Sequence, residues 1–173
     1  GLWHYYADLP VADWAYKDFN WADFIATALL QIAARHRGAL GAESMAQLHQ
    51  MVDRAATCVL RRNVSVSYTN ISALATFMLA GAGELLGRDD YLHAARERAS
   101  SMAGLVATDG IIDEYFSPTY TGVALMGLAS VRSFVVDEAV REAARRVELR
   151  LWSHLADGWH RASRELAGPH SRA

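Results

Sequence analysis

The residues best suited to acid–base chemistry lie together in the stretch 109–120, which contains Glu114, Tyr115 and Tyr120. Within it, Ser117-Pro118 is typical of a helix start, because a hydroxyl can cap free amides and the proline ring is fixed at helical φ. Helical scaffolds often display reactive groups on such connections. We therefore expect these three side chains to lie at a functional edge of the fold, although a plain connector with exposed polar residues would have the same pattern.

Composition narrows the classes of function. The chain has 173 residues, 52% of them hydrophobic, which suits one domain with a substantial core. Its net charge is −2 and its basic residues, sixteen Arg and one Lys, are scattered, so no nucleic-acid partner is expected. The single cysteine, Cys58, can form no internal disulfide and fits a buried apolar position. The seven histidines show no zinc-like spacing, so neither a metal nor another cofactor is expected.

No membrane partner is expected either. The longest mainly apolar run, Ile71 to Gly83, is shorter than the roughly 20 residues that a bilayer requires. The first residues, Gly1-Leu2-Trp3-His4, do not resemble a signal peptide. The sequence leaves the localisation unknown: the protein is cytoplasmic, or exported with a signal peptide that is absent from this chain.

Apolar periodicity and capping residues predict six helices. Four of them are amphipathic, whereas the third and fifth have almost no polar face and should be buried. In the first helix Asp23, at the third position, is predicted to complete a capping-box-like start. In the fourth helix Arg98 is predicted to face outward, and in the sixth Glu148 belongs to a charged face. The predicted spans are approximately 21–37, 43–62, 70–86, 91–107, 118–134 and 138–156.

The odd-numbered helices repeat every fifty residues, because Asn20, Asn70 and Tyr120 stand at their starts. The repeat indicates three antiparallel helical hairpins in one all-α domain, with the odd helices inside and an aromatic lead-in over residues 1–19. The hairpins occupy 20–157, and 158–173 is expected to be a loop. Since the inner helices run in the same direction, their N-terminal ends share one rim, where helix dipoles favour a carboxylate-bearing ligand.

Several short motifs resemble the (α/α) toroid of polysaccharide lyases and heparinase II/III-like proteins, and more generally the six-hairpin glycosidases. These motifs are Tyr68-Thr69-Asn70 before an apolar helix, the loop from Asp109-Gly110 to Glu114-Tyr115, Ser117-Pro118-Thr119-Tyr120, and Gly168-Pro169-His170-Ser171-Arg172. A complete toroid has five to seven hairpins. The resemblance therefore implies that this chain is part of a larger enzyme, or that it pairs with another copy.

The resemblance also implies roles for individual residues in β-elimination of a uronic-acid glycan. Such a reaction requires a neutraliser for the substrate carboxylate, a base and an acid. Asn70 is implied as the neutraliser and Tyr120 as base or acid, with Glu114 nearby and His170 and Arg172 for the remaining roles. Ile71 stands where several such lyases have a histidine. The residues expected to bind the acidic poly- or oligosaccharide are Asn20, Trp21, Tyr68, Tyr115 and Trp159.

Two other functions fit the same sequence. A glycoside hydrolase needs two carboxyl groups, for which Asp109, Asp113 and Glu114 are available. A non-catalytic helical module would bind a peptide or partner helix, and the aromatic residues would then belong to its core. Geometry separates these possibilities, because an enzyme requires Asn70, Glu114, Tyr120 and His170 to face one cavity.

Overall fold

A computed structural model of the chain describes residues 3–4, 17–109, 113–114 and 116–170. The predicted all-α fold is confirmed, since six helices make up most of the described chain. Two pairs of very short antiparallel strands flank them. In chain order the elements are β1 (Trp3–His4), β2 (Lys17–Asp18), α1 (Trp21–His36), α2 (Ala42–Arg62), α3 (Thr69–Leu86), α4 (Asp89–Asp109), α5 (Pro118–Phe134), α6 (Glu138–Gly158), β3 (Trp159–His160) and β4 (Glu165–Leu166).

Local capping signals fix several of these bounds. The Ser117 side chain accepts a hydrogen bond from the amide of Tyr120 at 3.2 Å, with Pro118 in the first turn of α5. Asp137 caps α6 in the same way, accepting from Val140 at 3.0 Å. At the other end of a helix, Gly87 closes α3 in the left-handed conformation, which glycine adopts without strain.

The helices form two layers, with α1, α3 and α5 inside and α2, α4 and α6 outside. Each helix packs against its hairpin partner, and neighbouring helices also pack within each layer. The inner helices begin at Trp21, Thr69 and Pro118, 48 and 49 residues apart, close to the predicted repeat. The hairpin order inferred from the sequence is therefore present in the structure.

Helix α3 is the centre of the core. Fourteen of its 18 residues are buried, including an unbroken run from Thr69 to Ala80. By length and composition alone, α3 is also the one helix in the described part of the chain that could cross a membrane. Its position among the other helices accounts for the same apolar composition, since a core helix is apolar on all sides.

Helix α5 is less buried than its sequence predicts. Six of its residues are buried, no more than in the shorter α1, and Met126 on its outer side is 44% exposed. The reason is its position at the end of the array, where α3 and α6 cover only part of its circumference. An apolar composition predicted burial correctly for the middle hairpin, which has neighbours on both sides.

The first and third inner helices meet in front of α3. Gln31 of α1 donates a hydrogen bond to Ser130 Oγ of α5 at 3.1 Å, and the Arg35 guanidinium lies 5.0 Å from the centre of the Phe134 ring. In a wide ring these helices would be separated by a central opening. The three hairpins therefore curve more tightly than the toroid expectation implies, and closure into a ring stays a prediction.

Two charged side chains predicted to face outward are buried. Arg98 is 7% exposed, because its guanidinium donates to the Val64 carbonyl and the Asn63 side chain rather than to water. Glu148 is also 7% exposed and lies 3.6 Å from Arg132 of α5. In both cases a partner on another element offsets the loss of hydration.

The ends of the chain also differ from their predicted form. Residues 158–173 were expected to be a loop, but β3 and β4 form a small hairpin there, with Trp159 opposite Leu166. In the lead-in, β1 pairs with β2. Most of the aromatic residues of 1–19 lie outside the described residues.

Candidate functional site

The N-terminal ends of the first two inner helices are joined by a side-chain hydrogen bond. The Asn20 amide, just before α1, donates to the Tyr68 hydroxyl at 3.3 Å. Tyr68 is the N-cap residue of α3, and Trp21, also half-buried, follows Asn20. We call this end of the inner layer the rim; it comprises Asn20, Trp21, Asp23, Arg62, Tyr68, Asn70, Glu114 and Tyr120.

A second contact at the rim connects Asn70 and Glu114, two residues to which the resemblance gives catalytic roles. The Asn70 amide of the main chain donates to Glu114 Oε2 at 2.7 Å, and the Asn70 side-chain oxygen accepts from the amide of Ile71. Asn70 is 1% exposed and Glu114 is 3% exposed. The carboxylate thus caps α3 from a loop 44 residues away, where the helix dipole favours a negative charge.

This geometry changes the expected behaviour of both residues. The Asn70 side chain is turned into its own helix, so it does not offer a neutralising amide on the surface. Glu114 is a cap for α3 rather than a first-turn acid of α5. The buried contact between Asn70 and Glu114 therefore connects α3 to the loop before α5. The rim groups nearer the surface are Asn20, Trp21 and Tyr68, which are half-buried.

Asp23 is a rim carboxyl group for which the sequence pattern predicted a helix-capping role. It is 1% exposed, and neither carboxylate oxygen has a hydrogen-bond partner among the described residues. Burial raises its pKa from 3.8 to about 7, although the positive charges of Arg62 and Arg98 act in the opposite direction. A carboxyl group that titrates near neutral pH can donate or accept a proton, as general acid–base catalysis requires.

Arg62 places a cation beside Asp23. Its Nη1 lies 3.7 Å from Asp23 Oδ2, and its guanidinium lies 6.0 Å from the centre of the Phe19 ring. A quarter of the Arg62 side chain is exposed. The last turn of α2 therefore brings to the rim a positive charge that a carboxylate-bearing ligand can reach.

The sequence contained a signal for these buried charges. Asp23 is followed at helical spacing by Thr27 and Leu30, which are buried, so it occupies a core position of α1. Arg98 occupies a core position between Ala95 and Met102 of α4 in the same way. A charged residue within an apolar period indicates either a buried partner or a functional group.

The third hairpin brings other predicted residues to the same end of the molecule. Tyr120 is half-buried in the first turn of α5. His170 Nδ1 makes a hydrogen bond with the main-chain oxygen of Phe116, so the C-terminal tail is attached to the loop that carries Glu114. Trp159 follows α6 and is 52% exposed. Tyr115 and Arg172 lie outside the described residues.

The described residues contain no group of three or more His, Cys, Asp or Glu side chains arranged to hold a metal ion. A groove of about 930 Å³ lies elsewhere, between α4 and the connection from α2 to α3. None of the predicted site residues within the described part of the chain lines this groove. The rim and the groove are therefore two separate candidate sites.

Comparison with known proteins supplies a family but no activity. A family model described as "Domain of unknown function (DUF8769)" matches residues 4–173. No curated protein and no solved structure matches the chain. Functional inference therefore depends on the geometry of the chain itself.

Proposed function

We propose that this chain, which belongs to the family described as Domain of unknown function (DUF8769), binds an acidic oligosaccharide at its rim and cleaves it by β-elimination. One observation carries the proposal: a carboxyl group with a pKa of about 7, Asp23, lies next to the partly exposed cation Arg62. The hydrogen-bonded pair of Asn20 and Tyr68 lies at the same rim. The (α/α) toroid resemblance supplies the reaction type.

The proposed reaction uses groups that the rim provides. Arg62 neutralises the uronate carboxylate, which makes the adjacent C5 proton more acidic. The deprotonated oxygen of a tyrosine, Tyr120 as the resemblance implies or Tyr68, removes that proton, and the electron pair forms a C4–C5 double bond as the C4–oxygen bond breaks. The leaving oxygen then takes a proton from the same tyrosine, while Asp23, whose oxygens are buried, supports the charge of Arg62 from within the fold.

Product analysis of the protein with a panel of uronic-acid polymers tests this proposal. Cleavage by elimination yields an unsaturated product that absorbs ultraviolet light, whereas hydrolysis yields reducing ends without that absorbance. Tyr120→Phe and Tyr68→Phe each remove one hydroxyl, and we expect at least one of them to lose about 100-fold or more in turnover.

Tyr91→Phe is the matched control. Tyr91 is fully buried at the turn between α3 and α4, where its hydroxyl contacts Thr57 and Asp53. Its loss should leave turnover unchanged. Wild-type turnover in both rim variants would contradict the proposed mechanism.

A non-catalytic binding module is the second candidate, and one observation favours it. Asn70 and Glu114 use polar atoms within the fold, at the first turn of α3. Under this proposal the acidic glycan binds the rim and remains intact. Binding that Arg62→Gln weakens, without any cleavage product, would favour this candidate over the lyase.

A further inference from the structure

The groove between α4 and the α2–α3 connection, here called the outer groove, is lined by both polar and apolar side chains. Leu60, Val66 and Leu79 provide apolar surface, and Ser100 and Ser101 are exposed on its α4 side. Its volume of about 930 Å³ lies within the range of sites for small molecules. The outer groove can therefore hold a compound larger than a single ion.

The charge in this wall is Arg98. Its guanidinium donates to three neutral oxygens, the Val64 carbonyl at 2.7 Å, Asn63 Oδ1 at 2.6 Å and Ser72 Oγ at 3.1 Å. No carboxylate in the described part of the chain lies at ion-pair distance from it, and its Nε has no hydrogen-bond partner there. The Asp23 carboxyl group also acts on this charge but lies beyond ion-pair distance, so the positive charge of Arg98 is compensated only in part.

The other basic side chains that line the outer groove have acidic partners. Arg96 forms a 2.6 Å ion pair with Asp137, and His93 lies 3.2 Å from Glu97, which is an ion pair only when His93 is protonated. Arg98 is thus the cation in the lining that has no carboxylate at ion-pair distance. Its guanidinium matches the single charge and planar shape of a carboxylate.

We propose that the outer groove binds a small hydroxylated carboxylic acid, whose carboxylate faces Arg98 and whose hydroxyl groups contact Ser100 and Ser101. Phosphate matches this site less well. It carries up to two charges near neutral pH, and the groove lining begins at His93, one turn beyond the first residues of α4, so no helix N-terminus contributes. This proposal does not depend on the function proposed for the rim.

Isothermal titration with glucuronate, glucose and inorganic phosphate as probes tests the proposal. Glucuronate should bind the wild-type protein, and glucose, which lacks the carboxylate, should bind at least about tenfold more weakly. Arg98→Lys keeps the charge but loses the planar fork, so it should weaken glucuronate binding by about tenfold.

Ser101→Trp fills the outer groove from an exposed position without removing an Arg98 contact, and it should abolish binding. Thr108→Trp, also exposed on α4 but outside the groove lining, is its matched control and should bind as the wild type does. Equal binding of glucose and glucuronate, displacement by phosphate at equal concentration, or unchanged affinity in Ser101→Trp would each overturn the proposal.

Discussion

At the scale of single residues, the buried charged groups differ in how well their charges are compensated. Glu114 is buried but accepts a hydrogen bond from the first turn of α3, and Arg98 donates three. Asp23 has only a 3.7 Å approach to Arg62. The carboxyl group with the weakest compensation is therefore the one whose pKa is shifted upward most clearly.

The raised pKa of Asp23 makes stability depend on pH. Below pH 3.8 both the folded and unfolded states hold the proton, so the group has no effect on the unfolding free energy. Between pH 3.8 and about 7 the unfolded state releases the proton while the folded state keeps it, and stability falls. Above pH 7 the loss is complete, on the order of 4 kcal/mol.

Asp23→Asn removes this titration with little change in shape. We expect the variant to gain on the wild type by a few kcal/mol in unfolding free energy between pH 4 and pH 8. Urea denaturation of both proteins at these two pH values measures the difference. Asp157→Asn, at an exposed carboxyl group on α6, is the control. If the unfolding free energies of the wild type and Asp23→Asn changed in parallel with pH, the Asp23 carboxyl group would not be held in the protonated form.

A second prediction concerns Glu114, which caps the first turn of α3 from a distant loop. Glu114→Ala leaves the Asn70 amide without this acceptor and should lower stability by about 1 to 3 kcal/mol. Glu114→Gln keeps an acceptor oxygen and should cost less. Asp113→Ala changes the adjacent, exposed acid in the same loop and should be close to neutral. Thermal unfolding of the three variants tests the order, which equal melting temperatures would contradict.

At the scale of helices, close approach to α3 decides the curvature of the array. A Cβ atom added at Gly127 of α5 would lie 2.8 Å from the main-chain carbon of Ala73. At Gly81 of α3 it would lie 2.9 Å from a methyl group of Leu30 on α1. Because glycine has no side chain at these crossings, α1 and α5 both pack close to α3, and they meet in front of it.

Gly127→Ala tests this close packing. The added methyl group would meet the main chain of α3, which cannot move like a flexible side chain, so we expect a loss of about 1 to 3 kcal/mol. Gly122→Ala is a matched control on the same helix, with no atom within 4 Å of the added Cβ. It should stabilise the protein by up to about 1 kcal/mol through helix propensity. Chemical denaturation measures the change in unfolding free energy for each variant. Changes of opposite sign would confirm the close packing, and equal changes would argue against it.

At the scale of the whole molecule, several large apolar side chains in the described part of the chain are exposed, and three of them lie on α6 or directly after it. Leu149 and Trp152 of α6 are each more than half exposed, as is Trp159, which directly follows that helix. Their spacing of three residues places Leu149 and Trp152 on one side of α6, and Trp159 begins β3 just beyond its end. Exposed apolar surface of this kind marks contact sites in soluble domains.

We expect the isolated chain to self-associate through this side of α6. Trp152→Gln should weaken the association by roughly fivefold or more, because buried aromatic residues dominate the energy of protein interfaces. Met51→Gln, at another exposed apolar residue on the outer layer, should have little effect. Sedimentation velocity over a range of concentrations measures both. A wild-type chain that stays monomeric throughout would contradict this prediction.

The sequence by itself determined the helices and their pairing into hairpins. Periodicity and capping act within a few residues, so α5 begins at Pro118 and ends at Phe134 as predicted, and α6 begins at Glu138. The apolar composition of α3 also predicted the centre of the core correctly, whereas the similar composition of α5 overestimated its burial, because α5 lies at the end of the array.

Tertiary structure decided which polar residues are buried and what they contact. Glu114 meets the Asn70 amide across 44 residues, and Arg98 reaches Asn63 across 35. Local pattern placed Arg98 on an outer face and Asp23 in a helix cap, since nothing near them in sequence reveals their partners. Their burial depends on where α2, α3 and the connecting loops converge, and the free energy of a buried charge is set by that three-dimensional surrounding.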